Sequence, residues 1–237
     1  MEEHIVKRFD EELAALQGLV FEMGELVQDQ IRRAIEAMEK QDVEAAREVS
    51  VRDHLVNGFD VRADELSIKL LAMRQPMARD LRMIMMLSKA VGDLERIGDK
   101  ADKIARMVVR IYDSDVNPPN HKLLRHIPYM AELASVMLQG SLDALARTDV
   151  PKALEVARKD HELNCEFHAA MRYLLTYIME NPRNIPYSID VVFILKALER
   201  IGDHAKNISE YVVYLVKGKD IRHISVNTLI DEERSAN

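Results

Sequence analysis

The sequence predicts an all-α protein made of two tandem three-helix bundles related by internal duplication. Composition is the first reason: of 237 residues, 48% are hydrophobic and 31% charged, with 8 glycines, 7 prolines and no tryptophan. That is the balance of a long-helix protein in which sheet is scarce. A repeat is the second. Glu95-Arg96-Ile97-Gly98-Asp99 recurs letter for letter as Glu199-Arg200-Ile201-Gly202-Asp203, and at the same 104-residue offset Leu94 pairs with Leu198, Ala101 with Ala205, Ile104 with Ile208 and Val108 with Val212. A pentapeptide that brings its apolar seam along marks a duplicated supersecondary unit, and the period is too long for a solenoid. The third is apolar spacing of three and four residues through most of the chain.

In order, a first helix over residues 4–40 carries Leu16, Val20, Met23, Val27 and Ile31 on one stripe. Asp42 is a suitable N-cap for a second helix to about Met73, with Val49, Val56, Ala63, Leu66 and Leu70 as its seam. Pro76 suits the first turn of a third helix that ends near Tyr112. Residues 113–120, rich in Asp, Asn and Pro, form the linker between the first bundle, residues 1–112, and the second, residues 121–217. There a fourth helix runs to Arg147, with Pro128 bending it or delaying its start; Asp149 caps a fifth that ends near Glu180. A sixth carries the second motif to Lys217, and residues 218–237 form a tail without helical period. Short connections make neighbouring helices antiparallel, so each half is an up-down-up unit.

A formal net charge of −7 provides no clustered basic face for a phosphate backbone, so nucleic acid is not an expected partner. The single Cys165 excludes an internal disulfide and a cysteine-based zinc site, and is expected as a small buried hydrophobe. No apolar run approaches the roughly 20 residues of a spanning helix, and the acidic start is unlike a signal peptide. A cytoplasmic protein without membrane insertion is expected.

The repeated motif is where chemistry is expected. Glu95 and Asp99 lie one turn apart on one helix face, where like charges cost about 0.2–0.5 kcal/mol, and this face lies off the seam, exposed to water or at the bundle's shoulder. The second helix offers Asp53, Asn57, Asp60 and Asp64 at spacings of four, three and four. The fifth repeats the start of that row as Asp160 and Asn164. If these antiparallel helices are neighbours, each half gathers three carboxylates and an amide: Asp53, Asn57, Glu95 and Asp99, extended by Asp60 and Asp102, and Asp160, Asn164, Glu199 and Asp203, extended by Asn207. Gathered like charge calls for cations, and oxygen-only ligands suit Mg, Mn, Ca, oxidised Fe or Zn. The competing reading is a solvated face, with Asp99 and Lys103 as an ordinary i,i+4 pair and Arg96, Lys100, Arg200 and Lys206 meeting nearby acids. Gly98 and Gly202 mark a close approach by a helix or a ligand. His204 and His168 are candidate auxiliary ligands, more simply read as solvated side chains.

These stretches, Arg74-Gln75-Pro76-Met77-Ala78-Arg79-Asp80-Leu81-Arg82 and the two copies of the motif, the second continuing as His204-Ala205-Lys206-Asn207, resemble the PhoU family of phosphate-uptake regulators over nearly the whole chain. The resemblance implies two tandem three-helix bundles and a multinuclear metal cluster, of iron or zinc among the known kinds, on Glu/Asp-x-x-x-Asp motifs. In this chain those are Glu95/Asp99 and Glu199/Asp203, with Asp53 and Asp160 on the partner helices. It further implies a non-enzymatic negative regulator of the phosphate-starvation response. Such a protein acts between the ATPase subunit of the phosphate ABC transporter and a phosphate-sensing histidine kinase at the membrane's inner face, usually as a homodimer.

The halves are not equal. On the middle helices, Asp60 and Asp64 of the first half correspond to Phe167 and Met171 of the second, and Lys103 corresponds to Asn207. Unequal metal occupancy or nuclearity is therefore expected. Two other readings are a carboxylate-bridged di-iron bundle enzyme and a metal-free helical scaffold. The first conflicts with the absence of any Glu-x-x-His.

Overall fold

A computed structural model describes residues 2–113 and 121–218. Six long helices account for nearly all of them: α1 Glu2–Lys40, α2 Val43–Arg74, α3 Ala78–Tyr112, α4 Ile127–Arg147, α5 Val150–Glu180 and α6 Ile185–Lys217, with short 3-10 turns at His121–Leu124 and Pro182–Asn184. All but one residue of the expected linker and all but Gly218 of the tail lie outside the described residues. No described helix is long and apolar enough to cross a membrane.

The helix ends follow local chemistry. Asp42 accepts a hydrogen bond from the Ala45 amide at 3.0 Å, and Asp149 one from the Lys152 amide at 2.9 Å. Each cap satisfies an orphan amide and contributes about 1 kcal/mol. Pro128 falls in the first turn of α4 and so delays its start. Pro76 differs from expectation. It sits in the α2–α3 connection, because Gln75 (φ 48) ends α2 in the left-handed region and α3 begins only at Ala78, itself at φ 45. A non-glycine residue at positive φ costs energy that the flanking packing must offset.

Each half is a three-helix bundle, and the two share one continuous core. Leu16, Met23 and Ile31 of α1, Val56 and Leu70 of α2, and Leu94, Ile97 and Ile104 of α3 are all at most 1% exposed, as are Ile201 and Ile208 of α6. The motif isoleucines thus anchor α3 and α6 inward, which holds the flanking acids at the bundle's shoulder.

The glycines of the motif serve helix packing. A Cβ on Gly98 would stand 3.1 Å from Val56 Cγ1, and one on Gly202 only 2.2 Å from Leu163 Cδ2. Val56 and Leu163 each lie three residues after the leading acid of their row, Asp53 and Asp160, so the duplication persists in three dimensions. Alanine gains about 1 kcal/mol of helix propensity over glycine, whereas overpacking a core costs roughly 1–3. Gly98→Ala is expected to leave the urea midpoint nearly unchanged and Gly202→Ala to lower it; equal midpoints would contradict this account of the second contact.

The halves meet chiefly through α3 and α6, which pack together more extensively than any other two helices. The helices run antiparallel: Lys89 lies over the Tyr211 ring, Lys103 over the Phe193 ring at 4.7 Å, and Arg110 pairs with Asp190 at 3.1 Å. Lys103 is thus a cross-half contact instead of the i,i+4 partner of Asp99 that spacing suggested.

Candidate functional site

In the first half, packing of α2 on α3 through Gly98 brings Asp53, Asp60, Glu95, Asp99 and Asp102 close enough for their charges to act on one another. Burial raises the Asp53 carboxyl above its ordinary pKa, and the charges of Asp102 and Asp99 push it further. Glu95 is raised in the same way, by burial first, then by Asp99, Asp60 and Asp53. Asp60 is raised by burial and by Asp64. Two cations touch the group: Arg96 reaches Glu95 at 3.4 Å and Arg106 reaches Asp102 at 2.6 Å. Both guanidinium groups sit at the rim, 63% and 68% exposed, where an ion pair is worth little.

The second half gathers Asp160, Glu199 and Asp203, but with ammonium groups among them. Lys206 donates to Asp160 Oδ2 at 2.9 Å, Lys196 pairs with Glu199, and Arg200 pairs with Asp203 at 3.2 Å. Burial and the charges of Glu199 and Asp160 raise the Asp203 carboxyl, opposed by Arg200 and Lys196. Burial depresses the Lys206 ammonium, yet its hydrogen bond to Asp160 prevails and holds its pKa above the ordinary value. Sequence reasoning placed Lys206 among possible ion-pair partners and missed Lys196. A signal was present: at the repeat offset, Lys206 falls on Asp102 and Lys196 on Gly92.

Several expected site residues lie elsewhere or in different surroundings. Asn207 donates its amide to Asp93 Oδ1 at 3.1 Å across the α3–α6 seam, and His204 Nδ1 lies 2.7 Å from the same oxygen. Antiparallel packing of the two last helices turns this face of α6 toward α3, so both side chains join the halves. Asn57 is exposed and Asn164 half-buried, with no hydrogen bond from either amide to a carboxylate among the described residues. The acids are less open to water than a solvated stripe: Asp102 and Asp160 are buried and Glu95, Asp99, Asp53 and Asp60 half-buried. Cys165 is exposed instead of buried, with Sγ 3.6 Å from His161 Nε2. His168 is exposed.

The first half fits a metal in donor type and charge: five carboxylates, partly withdrawn from water and opposed among the described residues by the rim guanidinium groups of Arg96 and Arg106 and by His54. Among the described residues no three His, Cys, Asp or Glu side chains converge with metal-ligand spacing, so a cation there would draw the carboxylates together. The second half fits poorly, since its three carboxylates already face three cationic side chains.

Comparison with known proteins gives a consistent picture. The family model described as the PhoU domain matches twice, over residues 20–108 and 127–212. Phosphate-specific transport system accessory protein PhoU homologs of Pseudomonas putida and Pseudomonas aeruginosa are each 41% identical over 229 residues, covering 97% of this chain and 88% and 93% of theirs. The Escherichia coli accessory protein PhoU is 38% identical over 97% of this chain and 93% of its own. The crystal structure of PhoU from Pseudomonas aeruginosa superposes with a TM-score of 0.83, covering 89% of this chain and all of that one. The phosphate transport system regulatory protein PhoU of Streptococcus pneumoniae, 28% identical, superposes at 0.82 over 90% of this chain and 98% of its own.

Proposed function

The chain belongs to the PhoU family, and from that premise we propose that it is a non-catalytic, metal-binding negative regulator of the phosphate-starvation response. In this reading it acts between the ATPase subunit of the phosphate ABC transporter and a phosphate-sensing histidine kinase, as a homodimer at the membrane's inner face. The observation that carries the regulatory part is similarity over both halves to accessory proteins of phosphate transport, which covers 97% of this chain.

The metal part is supported by the first-half acids. Asp53, Asp60, Glu95, Asp99 and Asp102 would hold the cations, of iron or zinc, with Mg and Mn compatible with the same oxygens. Such cations supply positive charge between α2 and α3. The chain's own residues supply the frame: Ile97 and Gly98 fix α3 against Val56 of α2, and the carboxylates hold the two helices in register around the charge. The outer face of α2 supports partner binding. Val51, Val61, Ile68 and Met73 are each more than half exposed there, and exposed apolar surface on one helix marks contact sites.

Disruption of the gene tests the reading. Phosphate-replete cells lacking it are expected to express alkaline phosphatase as though starved; the wild-type chain should restore repression, and Glu95→Gln/Asp99→Asn should restore it poorly. Unchanged repression in the disrupted strain would sink the regulatory part, and full rescue by the double variant the metal part.

A further inference from the structure

The two copies of the acidic motif differ most in what already neutralises them. At the position of Asp102 the second half has Lys206, at that of Gly92 it has Lys196, and at that of Asp60 it has Phe167. These three changes act together in space. Lys206 Nζ lies 2.9 Å from Asp160 Oδ2, and Lys196 pairs with Glu199 while its ammonium lies 5.2 Å from the centre of the Phe167 ring. The aromatic ring that replaces a carboxylate thus supports a lysine that replaces a glycine.

Burial separates these lysines from the first half's arginines. The Lys206 and Lys196 side chains are 31% and 42% exposed, against 63% and 68% for Arg96 and Arg106. Asp160 and Glu199 are each 12% exposed. An incoming cation would have to displace an ammonium from a nearly buried carboxylate and leave the displaced charge beside it, whereas a rim guanidinium swings into water at little cost. With Arg200 on Asp203, three carboxylates meet three cationic side chains.

We propose that Lys206 and Lys196 are built-in substitutes for metal, so that cation binding is confined to the first half and the second half is a metal-independent copy of the same site. This rests on the reading that the first-half acids hold cations. The separation has a consequence for the molecule: the second bundle keeps its helix contacts in any metal supply, and only the α2–α3 pair responds to it.

The test uses the full chain stripped with EDTA and titrated with MnCl2, read by calorimetry and by metal content after gel filtration. Isosteric variants keep the fold. Glu199→Gln/Asp203→Asn is expected to bind as many Mn2+ ions as the wild type, and Glu95→Gln/Asp99→Asn to lose binding. Lys196→Gly/Lys206→Asp, which gives the second half the first half's residues at the two lysine positions, is expected to bind more ions than the wild type. Loss of Mn2+ in the second-half variant overturns the proposal while leaving the metal reading intact, and so does the absence of any gain in the lysine variant. A wild-type chain that binds no Mn2+ overturns both, and the two failures are thereby told apart.

Discussion

Replacing Asp93 by Ala is expected to cost about 1–3 kcal/mol of unfolding free energy, because it removes the shared acceptor of a part-buried polar contact between the halves. Asp93 is 7% exposed, and its Oδ1 takes the Asn207 amide and faces His204 Nδ1. Removing the acceptor leaves two half-buried polar groups of α6 without their partner, which is costlier than never having had the contact. Asp93→Asn keeps an oxygen in place and is expected to lose much less. Urea unfolding of both variants checks this. An Asp93→Ala midpoint equal to that of the wild type would mean that the seam is held by apolar contact alone.

Removing divalent cations is expected to leave a protein whose stability climbs as the pH is lowered from about 7 toward the carboxylate range. Asp53, Asp60 and Glu95 have raised pKa values, from burial first and neighbouring carboxylates second. A raised carboxyl takes its proton in the folded state before the unfolded chain does, so the folded state gains as the pH falls from above the folded pKa to the ordinary value near 4. Below that the sign reverses. Glu12, hydrogen-bonded by Arg74, and Glu36, hydrogen-bonded by Arg32, have lowered values, as does Asp29, where Arg32 and Arg33 outweigh burial. Their contribution is lost as the pH falls through their folded pKa. Glu95→Gln/Asp99→Asn should flatten the rise. Adding MnCl2 at neutral pH should replace it with direct stabilisation, about 2.7 kcal/mol at a hundredfold excess over Kd. Urea unfolding in EDTA across pH, with and without Mn2+, measures both; a steady loss of stability from neutral pH downward in EDTA would contradict the first-half charge balance.

Much of the fold was legible because helices write their buried face into sequence. Leu16, Val20, Met23 and Val27 recur at three and four residues and are all fully buried, and Asp42 and Asp149 cap the helices they precede. Pro76 was placed one step too far, since a first-turn proline and a proline in a left-handed connection look alike without the φ of Gln75. The first-half acids were legible from spacing and the α2–α3 adjacency. Asn207 was misplaced for a different reason: its spacing from Asp203 is compatible with the same site, but that face of α6 looks toward α3.

By itself the sequence determined the all-α class, the duplication, the capped starts of α2 and α5 and the rows that carry the acids, all properties of a residue and its near neighbours along one rod. Only the tertiary structure decided what stands opposite each row. It set α3 against α6 in antiparallel fashion, gave Asn207 and His204 to Asp93, and brought Lys206 onto Asp160. Helical periodicity fixes the angle at which a side chain leaves its own axis, whereas the charge it meets depends on the rotation and register of a second helix, which close packing of many distant side chains sets together.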